Sequence, residues 1–154
     1  MEMTGEQRIP VSQEITWQAL NDLEVLKSCI PGCESIVPAG PDQFDVALTA
    51  KVGPVSAKFK GKLTLTELNP PHSYSMSFEG QGGVAGFAKG GAQVNLTPDG
   101  DATRLGYAVK ANVGGKLAQI GSRLIDGAAR KLADQFFSSF NKYVSEATSN
   151  KKGS

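Results

Sequence analysis

The stretch VSAKFKGKLTLTEL, Val55 to Leu68, alternates. Val55, Ala57, Phe59, Gly61, Leu63 and Leu65 are apolar or small, and Ser56, Lys58, Lys60, Lys62, Thr64 and Thr66 between them are polar. Successive side chains of a strand point to opposite faces, so this period of two predicts a strand with one buried and one wet face. The pattern continues on both sides. Upstream, FDVALTAKV sets Phe44, Val46, Leu48, Ala50 and Val52 on one face, and Gly53-Pro54 supplies the hairpin turn. Downstream, HSYSMSFEG alternates Tyr74, Met76 and Phe78 with serines. FAKGGAQVNLT and TRLGYAVKANV follow, joined by the turn PDGD, Pro98 to Asp101.

Outside this block the reading is different. Met1 to Ile9 is a short first strand ending near Pro10. Ser12 is a good N-cap for SQEITWQAL, with Glu14 in the first turn and Ile15, Ala19 and Leu20 near helical spacing. Asn21 or Asp22 caps a second short helix, LEVLKSCI, which Pro31-Gly32 stops. From Lys116 the period becomes helical. Leu117, Ile120, Leu124, Ile125 and Ala128 open an apolar stripe that continues through Leu132, Phe136, Phe140 and Val144.

The predicted order is one strand, two short helices, about six antiparallel strands and one long helix, an α+β chain. A sheet that is apolar on one face must be covered, and only the long helix is long enough to do it. The expected architecture is a curved sheet gripping that helix, with a space between them roofed by the short helices. Neither repeats nor linkers appear, so residues 1–147 read as one domain, followed by a polar tail, 148–154, expected to be disordered.

At 154 residues the chain is long enough to build a core without disulfide or metal staples. Sixteen basic and 15 acidic residues leave a net charge of +1, which gives no basic face for nucleic acid. Two cysteines are too few for a disulfide framework. The chain opens without the pattern of a signal peptide and holds no run of 18 apolar residues. The expected setting is cytoplasmic.

Candidate chemistry is sparse. Cys29 and Cys33 flank Pro31-Gly32, but a four-ligand zinc site needs two more ligands, and His72 is the only histidine. A redox pair favours Cys-x-x-Cys at a helix start, whereas Cys29 sits at a helix end. Small apolar residues beside a helix stop describe the two cysteines better. His72 lies in the turn NPPHS, and the carboxylates are scattered. GQGGVAGFAKGG, Gly80 to Gly91, lacks the GxGxxG spacing and a following helix, so it does not read as a phosphate loop. It reads as a loop and glycine-softened strand, or as a mobile lip presenting Val84 and Phe87 to an apolar ligand or a membrane.

The long helix carries small residues, Gly121, Gly127, Ala128 and Ala129, in its first half. Small residues facing a sheet leave volume, which either collapses into core or remains a pocket. The expected lining is Phe44, Leu48, Phe59, Tyr74, Met76, Phe78 and Tyr107 from the sheet. Leu117, Ile120, Gly121, Leu124, Ile125 and Ala128 are expected to face it from the helix. Tyr74, Tyr107 or Gln93 would supply a polar rim. Such a pocket suits a lipophilic ligand and offers little to stabilise a developing charge.

GEQRIPVSQEITWQALNDLEVLKSCIPGCESI followed by GPVSAKFKGKLTL resembles the CoxG family of carbon monoxide dehydrogenase subunits, within the START-like (SRPBCC) helix-grip superfamily. Trp17, Leu20-Asn21-Asp22, Leu26, CIPGCE and VSAKFKGK carry the likeness, which spans roughly residues 2 to 146. The resemblance implies the helix-grip fold. It also implies a non-catalytic accessory role beside molybdenum carbon monoxide dehydrogenase, with peripheral contact at the inner face of the cell membrane. In many members a C-terminal extension is a membrane anchor; this sequence stops just after the helix, leaving a trimmed anchor or a soluble shuttle. The expected ligand is menaquinone or a similar isoprenoid quinone, with no metal. The alternatives are a ligand-free docking module for the dehydrogenase, a fatty-acid carrier, and a polyketide-cyclase-like enzyme. The last would be revived by Glu34 or Asp45 facing inward beside a tyrosine.

Overall fold

The alternating segments form one continuous sheet. In the computed structural model, which describes the backbone of residues 1–153 and side chains through Ala147, the elements run β1 (Glu2–Ile9), α1 (Gln13–Leu20), α2 (Leu23–Cys29), β2 (Cys33–Gly40), β3 (Gln43–Val52), β4 (Val55–Asn69), β5 (Ser73–Gln81), β6 (Phe87–Asp99), β7 (Ala102–Gly114), α3 (Lys116–Gln119) and α4 (Ser122–Gly153). In the tail, 148–154, the backbone of residues 148–153 continues α4, and the side chains and Ser154 lie outside the described residues. All strands pair antiparallel in the order β1-β7-β6-β5-β4-β3-β2. The sheet closes around α4, which is the architecture expected from the alternation and the helix-grip fold that the resemblance implies.

The short helices begin where their caps dictate. The Ser12 hydroxyl accepts from the Ile15 N–H at 3.3 Å, and the Asp22 carboxylate accepts from the Glu24 N–H at 3.0 Å. Buried Thr16 donates to the Ser12 carbonyl at 2.8 Å, and buried Thr103 donates to the Val11 carbonyl at 2.8 Å. These bonds satisfy both hydroxyls where α1 crosses the start of β7. α2 ends as expected before Pro31-Gly32; Gly32 has a φ of +74° and lies so close to the Thr49 carbonyl that no side chain fits.

Two elements differ from the sequence reading. β2 completes the six strands that follow the short helices, and no alternation announces it. It is an edge strand, interrupted by register shifts at Cys33/Ser35 and Pro38/Gly40, and proline is tolerated there because no further strand needs its missing N–H. The long helix is also not continuous from Lys116. Gly121, at φ +95°, breaks it into α3 and α4, and the apolar stripe changes phase there. Gly121 is therefore a bend residue, not a small residue on a helix face.

The core is segregated along α4. Phe137, Phe140 and Val144 in its later turns are buried with Ile9, Val25, Leu105, Val94 and Leu96. Phe136 and Phe140 stack at 5.7 Å, and Phe136 meets Phe137 edge-on at 5.1 Å. The first turns lack this packing: Leu124 is 50% exposed, and Ile125, Ala128 and Ala129 are only half-buried.

Candidate functional site

Beneath those first turns lies a cavity of about 870 Å³ with an almost wholly apolar lining. Its volume has an origin in the sheet register. Val46 pairs with Gly61, Gly61 with Gly80, Gly80 with Ala88, and Ala88 with Val113. Small residues thus occupy the middle of one row across five strands. Ala92, in a neighbouring row, pairs with both Met76 and Val109. On α4, Ala128, Ala129 and Ala133 border the same space. The space is partly open, so its apolar walls are left facing water at a cost of ~25 cal/mol per Å² of exposed apolar surface. Water needs two to four polar partners, which this interior does not provide. The volume is shaped for apolar matter.

Of the residues expected at a pocket, Phe44 and Leu48 on β3, Phe59 on β4, and Tyr74, Met76 and Phe78 on β5 border the cavity. Tyr107 on β7, Leu117 on α3, and Ile125 and Ala128 on α4 do so too. Ile120, Gly121, Leu124, Val84 and Phe87 are not part of the lining. Ile120 and Leu124 instead lie beside Gly53, closing the α3–α4 bend onto the β3–β4 hairpin. The break at Gly121 turns them off the face that the helical period assigned them. Val84 is 84% exposed at the tip of the turn between β5 and β6, and Phe87 is 43% exposed and lies against Gly114.

The short helices form the expected roof, but sequence reasoning did not name its residues. Trp17 and Leu20 from α1, and Leu26 and Ile30 from α2, border the cavity. It also missed Ala88, Ala92, Val109 and Val113, which the parity of their own strands could have placed. Asn21 at the α1–α2 junction, Asp42 in the β2–β3 turn, Leu68 at the end of β4 and Pro70 after it are exposed members of the lining, as are Lys62 and Glu79.

The expected polar groups separate. Gln93 pairs with Ser75 on the outer face of the sheet and is exposed, so it belongs to no rim. The Tyr107 ring stacks on Phe137 at 5.6 Å, and its hydroxyl accepts from Arg130 Nη1 at 3.3 Å. Arg130 also donates to the Thr4 carbonyl at 3.1 Å, so this group latches α4 to β1. Tyr74 is only 5% exposed, with Trp17 edge-on at 5.4 Å, and burial pushes its hydroxyl up to about 12.

The other titratable candidates lie elsewhere. Glu34 is outside the cavity, paired with Lys58 at 2.8 Å and accepting from Thr49 at 2.8 Å; those two hydrogen bonds hold its carboxyl below the ordinary range. Asp45 is exposed on the outer face. His72 is exposed beside Gln13 Nε2 at 3.2 Å. Cys29 is buried and Cys33 half-buried, both thiols free, and burial pushes each upward. Among the described residues, no group of three or more His, Cys, Asp or Glu is placed to hold a metal, and no helix is long and apolar enough to cross a membrane.

A grip of sheet on helix around an apolar cavity is the geometry against which known proteins can be compared. The CoxG family of carbon monoxide dehydrogenase subunits matches residues 5–145. The chain belongs to that family. No curated protein matches it. Among solved structures, a conserved protein from Geobacillus kaustophilus is 31% identical, with a TM-score of 0.91 over 96% of this CoxG-family chain and 97% of the other. A START superfamily protein from Mycobacterium smegmatis shares 14% identity at a TM-score of 0.73, covering 95% and 98%. The Zhui aromatase/cyclase from a Streptomyces species shares 9% at 0.71, covering 96% and 95%. The last two share the START-like fold with this CoxG-family member, and at such identities the likeness extends to fold alone.

Proposed function

We propose that this CoxG-family protein is a non-catalytic carrier of a lipophilic ligand, working beside a molybdenum carbon monoxide dehydrogenase. One observation carries the reading: an apolar cavity of about 870 Å³, with the charged groups of its lining confined to exposed positions. A ligand-free docking module has no use for such a space. The family supplies the dehydrogenase as partner. That enzyme's electrons must reach a membrane-confined acceptor, which favours an isoprenoid quinone such as menaquinone as the ligand. Burying a few hundred Å² of isoprenoid gains on the order of 10 kcal/mol relative to water at ~25 cal/mol per Å². Relative to a bilayer the gain is near zero, so loading and unloading are both accessible.

The membrane-facing end in this reading is the one where the β3–β4 hairpin, the β5–β6 turn and the α3–α4 bend meet. Exposed Val84, Phe87 and Leu124 stand there with Lys51, Lys116 and Arg123. Apolar tips flanked by cations suit an anionic lipid surface. The test is transfer of menaquinone-4 from anionic vesicles to the delipidated protein. Phe87→Asp and Val84→Asp are expected to slow uptake while the melting temperature holds. Uptake at the wild-type rate in both variants would discard this end and turn attention to the exposed lining at Asn21, Asp42, Leu68 and Pro70. No uptake by the wild type would discard the carrier.

A further inference from the structure

The cavity lining contains two hydroxyls, Tyr74 and Tyr107. Tyr107 is occupied by Arg130. Tyr74 is the reverse case: nineteen-twentieths buried, and without a hydrogen-bond partner among the described residues. Asn141 Oδ1 is the one buried side-chain polar atom there that is both unpartnered and sealed off from free space. Tyr74 borders the cavity, so the free space beside its ring is the cavity. A buried polar group with no partner costs free energy unless something pairs with it.

We infer that Tyr74 is the ligand-reading group of the pocket: its hydroxyl donates a hydrogen bond to a carbonyl oxygen of an uncharged, otherwise apolar ligand, so that carbonyl-bearing ligands are selected over hydrocarbons and ionised acids. This rests on the carrier reading and gives it a ligand class. An ionised carboxylate taken to the same depth would meet no counter-charge, because Asp42, Lys62 and Glu79, the charged residues of the lining, are all exposed. A fatty acid must keep its head at the surface and leave Tyr74 unpaired. A ketone or quinone can go in head-first. Burial keeps the phenol protonated throughout the physiological range, so the donor is always present. The edge-on contact with Trp17 and the position of Tyr74 on the strand hold the ring in one orientation.

The test uses the delipidated full chain, three probes and Tyr74→Phe, which keeps the ring and removes only the oxygen. Binding of menaquinone-4, squalene and palmitate is measured by partition from vesicles, with the infrared carbonyl stretch of bound menaquinone-4 as a second readout. Tyr74→Phe is expected to weaken menaquinone-4 by about 3–10-fold, the range of a single net hydrogen bond, and to leave squalene unchanged. The wild type should shift the carbonyl stretch to lower wavenumber, and the variant should not. Unchanged menaquinone-4 affinity, an equal loss for squalene, or tighter binding of palmitate than of menaquinone-4 by the wild type would overturn the inference and leave the carrier standing. A wild type that binds none of the three probes would overturn the carrier reading, and this inference with it.

Discussion

Replacing Ala92 by leucine separates a pocket from a core by the sign of a free energy. Ala92 lies on β6 between Met76 and Val109, borders the cavity, and is only half-buried. In a close-packed interior, three added carbons are an overpacking substitution and cost about 1–3 kcal/mol. Here they enter a space of about 870 Å³ and exchange water for apolar walls. At ~0.8 kcal/mol per buried CH2 the gain is up to about 2.4 kcal/mol. For a chain of this length that corresponds to a rise in melting temperature of about 5–10 °C. The assay is urea and thermal unfolding of delipidated protein, with and without menaquinone-4. A ligand at 100 times its Kd stabilises by about 2.7 kcal/mol. The variant is expected to be more stable when empty and to gain less from the ligand, because part of its volume is already taken. Ala128→Leu, entering the same space from α4, should act in the same direction. A loss of 1–3 kcal/mol in either delipidated variant would mean that the volume is not free, and the argument from the Gly61–Gly80–Ala88 row would fail.

The buried phenol and the packed end of α4 give two more expectations. Below pH 10 both folded and unfolded chains keep the Tyr74 proton; between pH 10 and about 12 the unfolded chain releases it first, so stability should fall by about 2–3 kcal/mol across that window. Tyr74→Phe should flatten that part of the urea-midpoint profile, and an unchanged slope would refute the burial of the hydroxyl. Phe140→Ala removes a fully buried ring stacked on Phe136 and should cost about 3–5 kcal/mol in urea unfolding, against a small effect for Leu124→Ala at the exposed end. Equal losses at the two positions would contradict the division of α4 into a packed half and a cavity half.

Much of the architecture was legible because side-chain parity in a strand is a local property. The alternation of Val55 to Leu65 assigns the concave face without knowledge of any partner, and the same parity put Phe44, Phe59, Met76 and Phe78 on the face that the cavity touches. The caps Ser12 and Asp22 act within one turn of their own helices, so they could be read too. Residues whose role depends on a distant neighbour could not. Gln93 looked like a rim group, although its parity with Ser75 sends it outward. Leu124 and Ile120 kept helical spacing, but the bend at Gly121 moved them onto the hairpin at Gly53. Trp17 looked like an ordinary helix residue until α1 was folded over the sheet.

The sequence by itself determined the order of elements, the antiparallel sheet with one apolar face, and the helix that covers it. Each follows from periodicities of two and 3.6 residues, which need no long-range information. Tertiary structure decided where the volume lies. Gly61, Gly80 and Ala88 follow one another at steps of 19 and 8 positions that carry no period, and they become one row only when β4, β5 and β6 pair in register. It also decided which tyrosine is paired: Arg130 reaches the Tyr107 hydroxyl across the fold, whereas Tyr74 meets the Trp17 ring and borders the cavity. A hydrogen-bond partner is a matter of distance in space, and the chain does not encode that distance locally.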